Sequence, residues 1–315
     1  MRTNEVWATS IWSGWRKGMA AVMLALVMML AVAGCGKSEG ASSQGADTIT
    51  IATKGFAESD ILANAIKLLI EDNTKLKTKV TTLDNNLLWK AIDTGEVDTY
   101  VEYTGTALLN ILKEKPVYDP QQAYEIVKKE LKEKHRIDVL DQIGFNDTYA
   151  LVLRKEAAEK WNIKTTSEMA EHAGVLVFGT SQEFLKREDT WPLVENVYNP
   201  KFKEIKTIQN NSLGYQAIEQ GIIDVTAVYT TDSKIPTANF IVLDDDKHVF
   251  VPYFAIPVVR EETLSKHPEL KDIINKLSST IDDAEMQKLN GEVEQKKRPA
   301  LDVAKEWLQS EGLLK

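Results

Sequence analysis

A single cysteine occurs among 315 residues, so no intramolecular disulfide is possible and the fold must stand on its core alone. Histidine is also sparse, with four in the chain. His135, His172, His248 and His267 are scattered, and none has a second His, Cys or carboxylate at metal-ligand spacing, so each reads as a surface residue. The chain has no G-x-S-x-G elbow, P-loop or G-x-G-x-x-G run, which removes the hydrolase, nucleotidase and dehydrogenase signatures and leaves no cofactor to expect. Asp244-Asp245-Asp246 lacks the spaced oxygens and turn glycine of a calcium loop and reads as a solvated connector. After Val32 no long apolar run follows, so the chain does not form a permease or pore itself. Excess positive charge is also missing: the net charge is −9, which argues against nucleic acid or anionic lipid as a partner and permits a cationic ligand.

The position of the one cysteine is informative. Arg16 and Lys17 precede an apolar stretch, Met19 to Val32, too short for a comfortable span, and the stretch ends in Val32-Ala33-Gly34-Cys35. That pattern is a signal peptide, and the last four residues resemble the bacterial lipobox, in which the thiol is acylated and the chain is cut just before it. A plain secretory signal with a chance cysteine, or a single anchoring helix, is the alternative. Cleavage before Cys35 removes residues 1–34 and leaves 281; the leader carries Arg2, Arg16 and Lys17 against Glu5, so the charge falls from −9 to −11. Residues 35–47, rich in Gly, Ser and Ala, suit a flexible tether holding a domain off the membrane. The expected location is therefore the extracytoplasmic face of a cell membrane, with attachment through lipid on Cys35.

From Thr48 short β-branched runs alternate with amphipathic stretches, which predicts an α/β fold. Strands are expected at 48–52, 79–83, 97–102, 149–154, 175–179, 224–229, 241–243 and 249–260. The tail from Glu261 reads as helical throughout and returns most simply to cover the first lobe. Crossovers near Phe145-Asn146 and Lys247-His248 give lobe I as 48–146 with 248–315 and lobe II as 147–247. An internal echo at an offset of 126 supports two equivalent lobes. Ala91, Ile92, Gly95, Val97, Asp98, Tyr103 and Thr104 are matched by Ala217, Ile218, Gly221, Ile223, Asp224, Tyr229 and Thr230. Each copy is a helix ending at a glycine, then a strand with a tyrosine where it runs out. Chance likeness of two helix-turn-strand units is the alternative, and the shared Tyr-Thr weighs against it. The Lys-rich stretch from Lys128 to Arg136 is interleaved with glutamates and reads as an exposed helix face, or else a docking face for a permease.

Strand ends in open α/β sheets are where ligands sit, and Tyr103, Tyr149, Tyr229 and Tyr253 fall at strand ends, near a crossover or in the echoed positions. Several ring faces around one space suit a quaternary ammonium, which has no N–H to donate; each cation–π contact contributes roughly 0.5 to 2 kcal/mol. Taken singly, any of these tyrosines would more often be core or rim.

Here the chain resembles the glycine betaine, choline and carnitine binding proteins of osmoprotectant ABC transporters. The resemblance spans nearly all of residues 48–315. It is carried by Thr53-Lys54-Gly55-Phe56-Ala57-Glu58, Tyr103-Thr104-Gly105-Thr106, Asn146-Asp147-Thr148-Tyr149, Phe184-Leu185-Lys186-Arg187-Glu188-Asp189, Tyr229-Thr230-Thr231-Asp232 and Pro252-Tyr253. It implies a two-lobed type II periplasmic-binding-protein fold with the ligand in the cleft. It also implies a monomeric receptor, and a separate permease with a cytoplasmic ATPase. The family's aromatic box falls on Tyr103, Tyr149, Tyr229 and Tyr253, and its polar end on Lys54, Thr106 and Arg187, which would orient a carboxylate. Lys54 and Arg187 also read as surface or interlobe salt-bridge residues. Threonine at 106, where choline-selective members carry an acid, implies tolerance of carboxylated ligands and so betaine-like compounds over a broad range. Ala57 and Ser59 depart from the family's usual Thr and Gln, and the family often shows Asn or Asp near Gly55, at the border of the polar end. The remaining alternatives are a receptor for another small solute, such as an amino acid, sulfonate or cationic amine, and a lipid-anchored surface enzyme.

Overall fold

The switch between period-two and helical apolar spacing builds two five-stranded mixed sheets. This is seen in a computed structural model that describes residues 48–209 and 211–314. Cys35, the leader and the tether lie outside the described residues. One sheet holds β1 (Thr48–Thr53), β2 (Lys77–Thr82), β3 (Thr99–Tyr103), β4 (Ile137–Val139) and β10 (Ala255–Arg260), in the order β2-β1-β3-β10-β4. The other holds β5 (Tyr149–Arg154), β6 (Val177–Ser181), β7 (Glu204–Ile208), β8 (Val225–Tyr229) and β9 (Phe240–Val242), in the order β7-β6-β8-β5-β9. The two orders are equivalent position by position. In each sheet the first three strands run parallel, and the fourth, β10 or β5, is antiparallel to its neighbours.

Helix α1 (Ala57–Asn73) buries Ile61, Leu62, Ala65, Ile66, Leu69 and Ile70 on one face, with Glu58 and Asp60 in its first turn. Each buried Leu or Ile contributes about 1.5 to 3 kcal/mol. The other helices used below are α2 (Asn85–Thr94), α3 (Asn211–Glu219), α4 (Asp283–Glu294) and α5 (Ala300–Ser310). Both α4 and α5 pack on α1, and α5 buries Val303, Ala304, Trp307 and Leu308. Among the described residues no helix is long and apolar enough to cross a membrane.

The echo at offset 126 is physical. Gly95 and Gly221 end α2 and α3 with φ of 88° and 66°, the left-handed region that glycine adopts without strain. Asp98 Oδ2 accepts from the Thr50 amide at 2.8 Å, and Asp224 Oδ2 from the Val177 amide at 3.0 Å, so each aspartate locks its strand to the parallel neighbour. Arg260 lies over Gly95 and Arg154 over Gly221, so a Cβ at either glycine would press on a guanidinium.

One strand expectation changes, and two strands were not expected. The run 249–260 enters the sheet only from Ala255, because the amides before it bond to side chains: Phe250 N to Asp245 Oδ2 at 2.9 Å, Tyr253 N to Asn146 Oδ1 at 2.7 Å and Phe254 N to Thr104 Oγ1 at 3.0 Å. Two strands had no clear signal: β4 is only three residues long, and β7 is a half-exposed edge strand with charged alternate positions. The aspartate connector is anchored as well as exposed, since Asp245 also accepts from Tyr198 Oη and Asp246 from the Ser167 amide. The lysine-rich helix face from Lys128 is tied down locally, with Lys132 on Asp138 and Glu261, and Lys134 on Glu130.

Candidate ligand-binding site

The chain passes from the first sheet to the second after β4 and returns before β10, and these two passages lie side by side: the Asp147 amide donates to the Tyr253 carbonyl at 3.0 Å. The echoed Tyr-Thr pairs stand beside them. Thr104 Oγ1 donates to the Pro252 carbonyl at 2.9 Å, and Thr230 Oγ1 to the Asn146 carbonyl at 2.7 Å, so each threonine ties down a passage. The tyrosine before each threonine then lines a cavity of about 470 Å³. Tyr149 begins β5 opposite Tyr229 at the end of β8, with ring centroids 4.8 Å apart and hydroxyls 3.2 Å apart. Tyr253 meets Tyr149 edge-on at 5.7 Å. Gly105 makes this possible: a Cβ there would stand 2.7 Å from the Tyr253 ring.

The residues assigned to the polar end, Lys54, Thr106 and Arg187, line the same cavity. Both cations are already partnered. Lys54 Nζ, nearly buried, is bonded to Glu102 and lies 5.0 Å from the Tyr103 ring centroid. Arg187 grips Asp189 through Nε at 2.9 Å and Nη2 at 2.6 Å, and reaches Glu183 through Nη1 at 3.2 Å. Asp189 also accepts from Tyr253 Oη and from Asn110 Nδ2, so one fully buried carboxylate joins Arg187, Tyr253 and Asn110. Burial pushes the Asp189 carboxyl up, and the hydrogen bonds and charge of Arg187 outweigh it, holding the group below its ordinary value.

Another wall of the cavity is acidic. Glu58 from the start of α1, Asp147 from the first passage, Asp232 after β8 and Glu294 at the end of α4 all line it. Glu58 accepts from Tyr103 Oη, and Asp147 Oδ1 from Thr231 Oγ1 at 2.6 Å. Asp232 accepts from Tyr215 Oη. Burial, with the charge of Asp232 adding to it, pushes Glu58 up from 4.5 to about 7. Burial and the charge of Glu58 raise Asp147, and burial takes Asp232 to about 6.

Residues 47–310 match the family model described as the substrate binding domain of the ABC-type glycine betaine transport system. The chain belongs to this family. As a member it is the extracytoplasmic substrate-binding component of an ABC importer, and the family's proteins are transport receptors rather than enzymes. A carnitine transport binding protein of Listeria monocytogenes is 38% identical over 270 residues, covering 84% of this chain and 86% of the relative. An ergothioneine transport permease and binding protein of Helicobacter pylori is 34% identical over 267 residues, covering 84% of this chain and 48% of the relative. The crystal structure of a glycine betaine/carnitine/choline ABC transporter protein superposes with a TM-score of 0.75 at 34% identity. It covers 84% of this chain and 99% of that one. The two-sheet α/β architecture is thus the two-lobed periplasmic-binding-protein fold.

All seven cavity residues named from the receptor's sequence lie around one space. Glu58, Asp147 and Asp232 stand inside family motifs but carry no site signal of their own in the sequence, and Asn290 and Glu294 lie outside every motif named above. Glu58 has a consequence for stability. Its folded-state pKa is raised, so between pH 4.5 and about 7 the native receptor holds a proton that the unfolded chain has released, and stability falls as pH rises through that window. Replacing Glu58 with Gln is expected to flatten this decline and to stabilise the ligand-free protein by up to ~3 kcal/mol at pH ~8. Thermal melts of both proteins across the window check it, and identical slopes would refute it.

Proposed function

We propose that the cavity captures a quaternary-ammonium osmolyte of the glycine betaine, carnitine or choline type and hands it to an ABC permease driven by a cytoplasmic ATPase. The observation that carries the reading is the convergence of Tyr103, Tyr149, Tyr229 and Tyr253, from two sheets and a passage between them, on one cavity with acidic walls. Ring faces and carboxylates attract a methylated cation, and Arg187 with Thr106 and Lys54 orients a carboxylate at the polar end. Lobe I is 48–146 with 248–315, lobe II is 147–247, and the two passages are the hinge. Tyr103 belongs to one lobe and Tyr149 with Tyr229 to the other, so ligand favours the closed form, which the permease reads. The receptor works as a monomer and does no covalent chemistry on its ligand.

The names of the Listeria relative and of the solved transporter protein, each at more than a third identity, support a ligand of this class. Calorimetric titration with glycine betaine, carnitine, choline and proline tests it: heat is expected with the methylated ammonium compounds, and no heat with any of them overturns the reading. Cys35 holds the receptor to the outer face of the membrane through lipid. Palmitate labelling of expressing cells is expected to mark the protein and to be lost in Cys35→Ala; labelling that survives would remove the anchor from the proposal.

A further inference from the structure

The acidic wall holds a buried acceptor that no protein group uses. Asn290, on α4, is 5% exposed and lines the cavity. Its Nδ2 donates to the Thr231 carbonyl at 3.0 Å and to Glu58 Oε2 at 3.3 Å, which fixes the orientation of the amide. Its Oδ1, equally buried, accepts nothing from the protein. Leaving such an acceptor dry costs on the order of 1 to 3 kcal/mol, so buried acceptors are normally paired. Around it the carboxylates of Glu58, Asp147 and Asp232 also only accept when ionised. Lys54, which lines the same cavity, is engaged by Glu102.

A quaternary ammonium satisfies charge here but not hydrogen bonding, because it has no N–H. We infer that the wall formed by Glu58, Asp147, Asp232 and Asn290 receives a hydrogen-bond donor of the ligand, so the receptor selects methylated ammonium compounds that also carry a hydroxyl or N–H group. This rests on the proposed osmolyte function and narrows it. The ring faces hold the methyl groups, Arg187 takes any carboxylate, and the donor turns toward Asn290 Oδ1 and the carboxylates. Glycine betaine, with no donor, leaves the wall unsatisfied.

Matched pairs test the inference with the full-length protein. Carnitine is compared with γ-butyrobetaine, which lacks only the hydroxyl, and choline with propyltrimethylammonium, in which a methyl replaces it. The titrations are run at pH ~8, above the raised value of Glu58. At least one hydroxylated member is expected to bind about tenfold more tightly than its partner, because a site built around a donor rejects the isostere lacking it. In Asn290→Ala that ratio is expected to fall to within about threefold. Equal affinity within both pairs overturns the inference and leaves the osmolyte function standing. A ratio that survives Asn290→Ala overturns the assignment to this wall. Absence of heat with all four compounds overturns both readings.

Discussion

Replacing Tyr103 and Tyr229 together with alanine is expected to lower affinity for a methylated ammonium by about 4 kcal/mol, roughly a thousandfold, which puts binding beyond calorimetric detection. The two rings stand at echoed strand ends on different sheets, so their loss opens the box from both sides. The corresponding double substitution with phenylalanine separates ring face from hydroxyl. It removes the bonds from Tyr103 to Glu58 and between Tyr229 and Tyr149, but keeps both π-faces. Affinity is expected to stay within about tenfold of the parent in that variant. If the phenylalanine and alanine pairs lost affinity equally, the hydroxyls rather than the rings would be holding the ligand, and the cation–π account would fail. Circular dichroism and a melt of each variant establish that the comparison is between folded proteins.

These tyrosines were legible in the sequence because a local pattern announces them. A helix, a left-handed glycine, a strand and a terminal Tyr-Thr repeat at a constant offset, and each part has a job visible in the structure: Gly95 and Gly221 turn the chain, Asp98 and Asp224 lock the strands, Thr104 and Thr230 tie the passages. The acidic wall had no such announcement. Glu58 reads as an ordinary first-turn acid of a helix, and one of its partners, Asn290, is 232 residues away in the chain and reaches it on α4. Nothing local marks an asparagine in an amphipathic helix as a cavity residue; only the return of the C-terminal helices onto α1 makes it one. The same limit applies to charge. Lys54 and Arg187 read as two free cations awaiting a carboxylate, or as salt-bridge residues, and the two descriptions turn out to be compatible: Glu102 and Asp189 hold the side chains in place at the cavity edge. Edge strand β7, with charges at alternate positions, shows why the weaker elements were missed, since an edge needs little apolar pattern to pair on one side.

Arg187 links binding to stability. Of its five N–H donors, two are committed to Asp189 and one to Glu183, whose side chain is 63% exposed, which leaves two for a ligand carboxylate and a third that exchanges readily. Arg187→Ala removes those donors and also strands the Asp189 carboxylate, whose side chain is fully buried, with only Tyr253 and Asn110 as partners. An uncompensated buried charge of this kind costs about 3 to 5 kcal/mol, so a large fall in melting temperature is expected. Adding Asp189→Asn removes the stranded charge and is expected to recover most of that loss without restoring the carboxylate contact. In the double variant glycine betaine and carnitine should therefore remain weakened by about ten- to a hundredfold, while choline, which has no carboxylate, changes far less. Equal weakening of all three ligands would place the carboxylate end elsewhere in the cavity and leave Arg187 as a clamp on Asp189 alone.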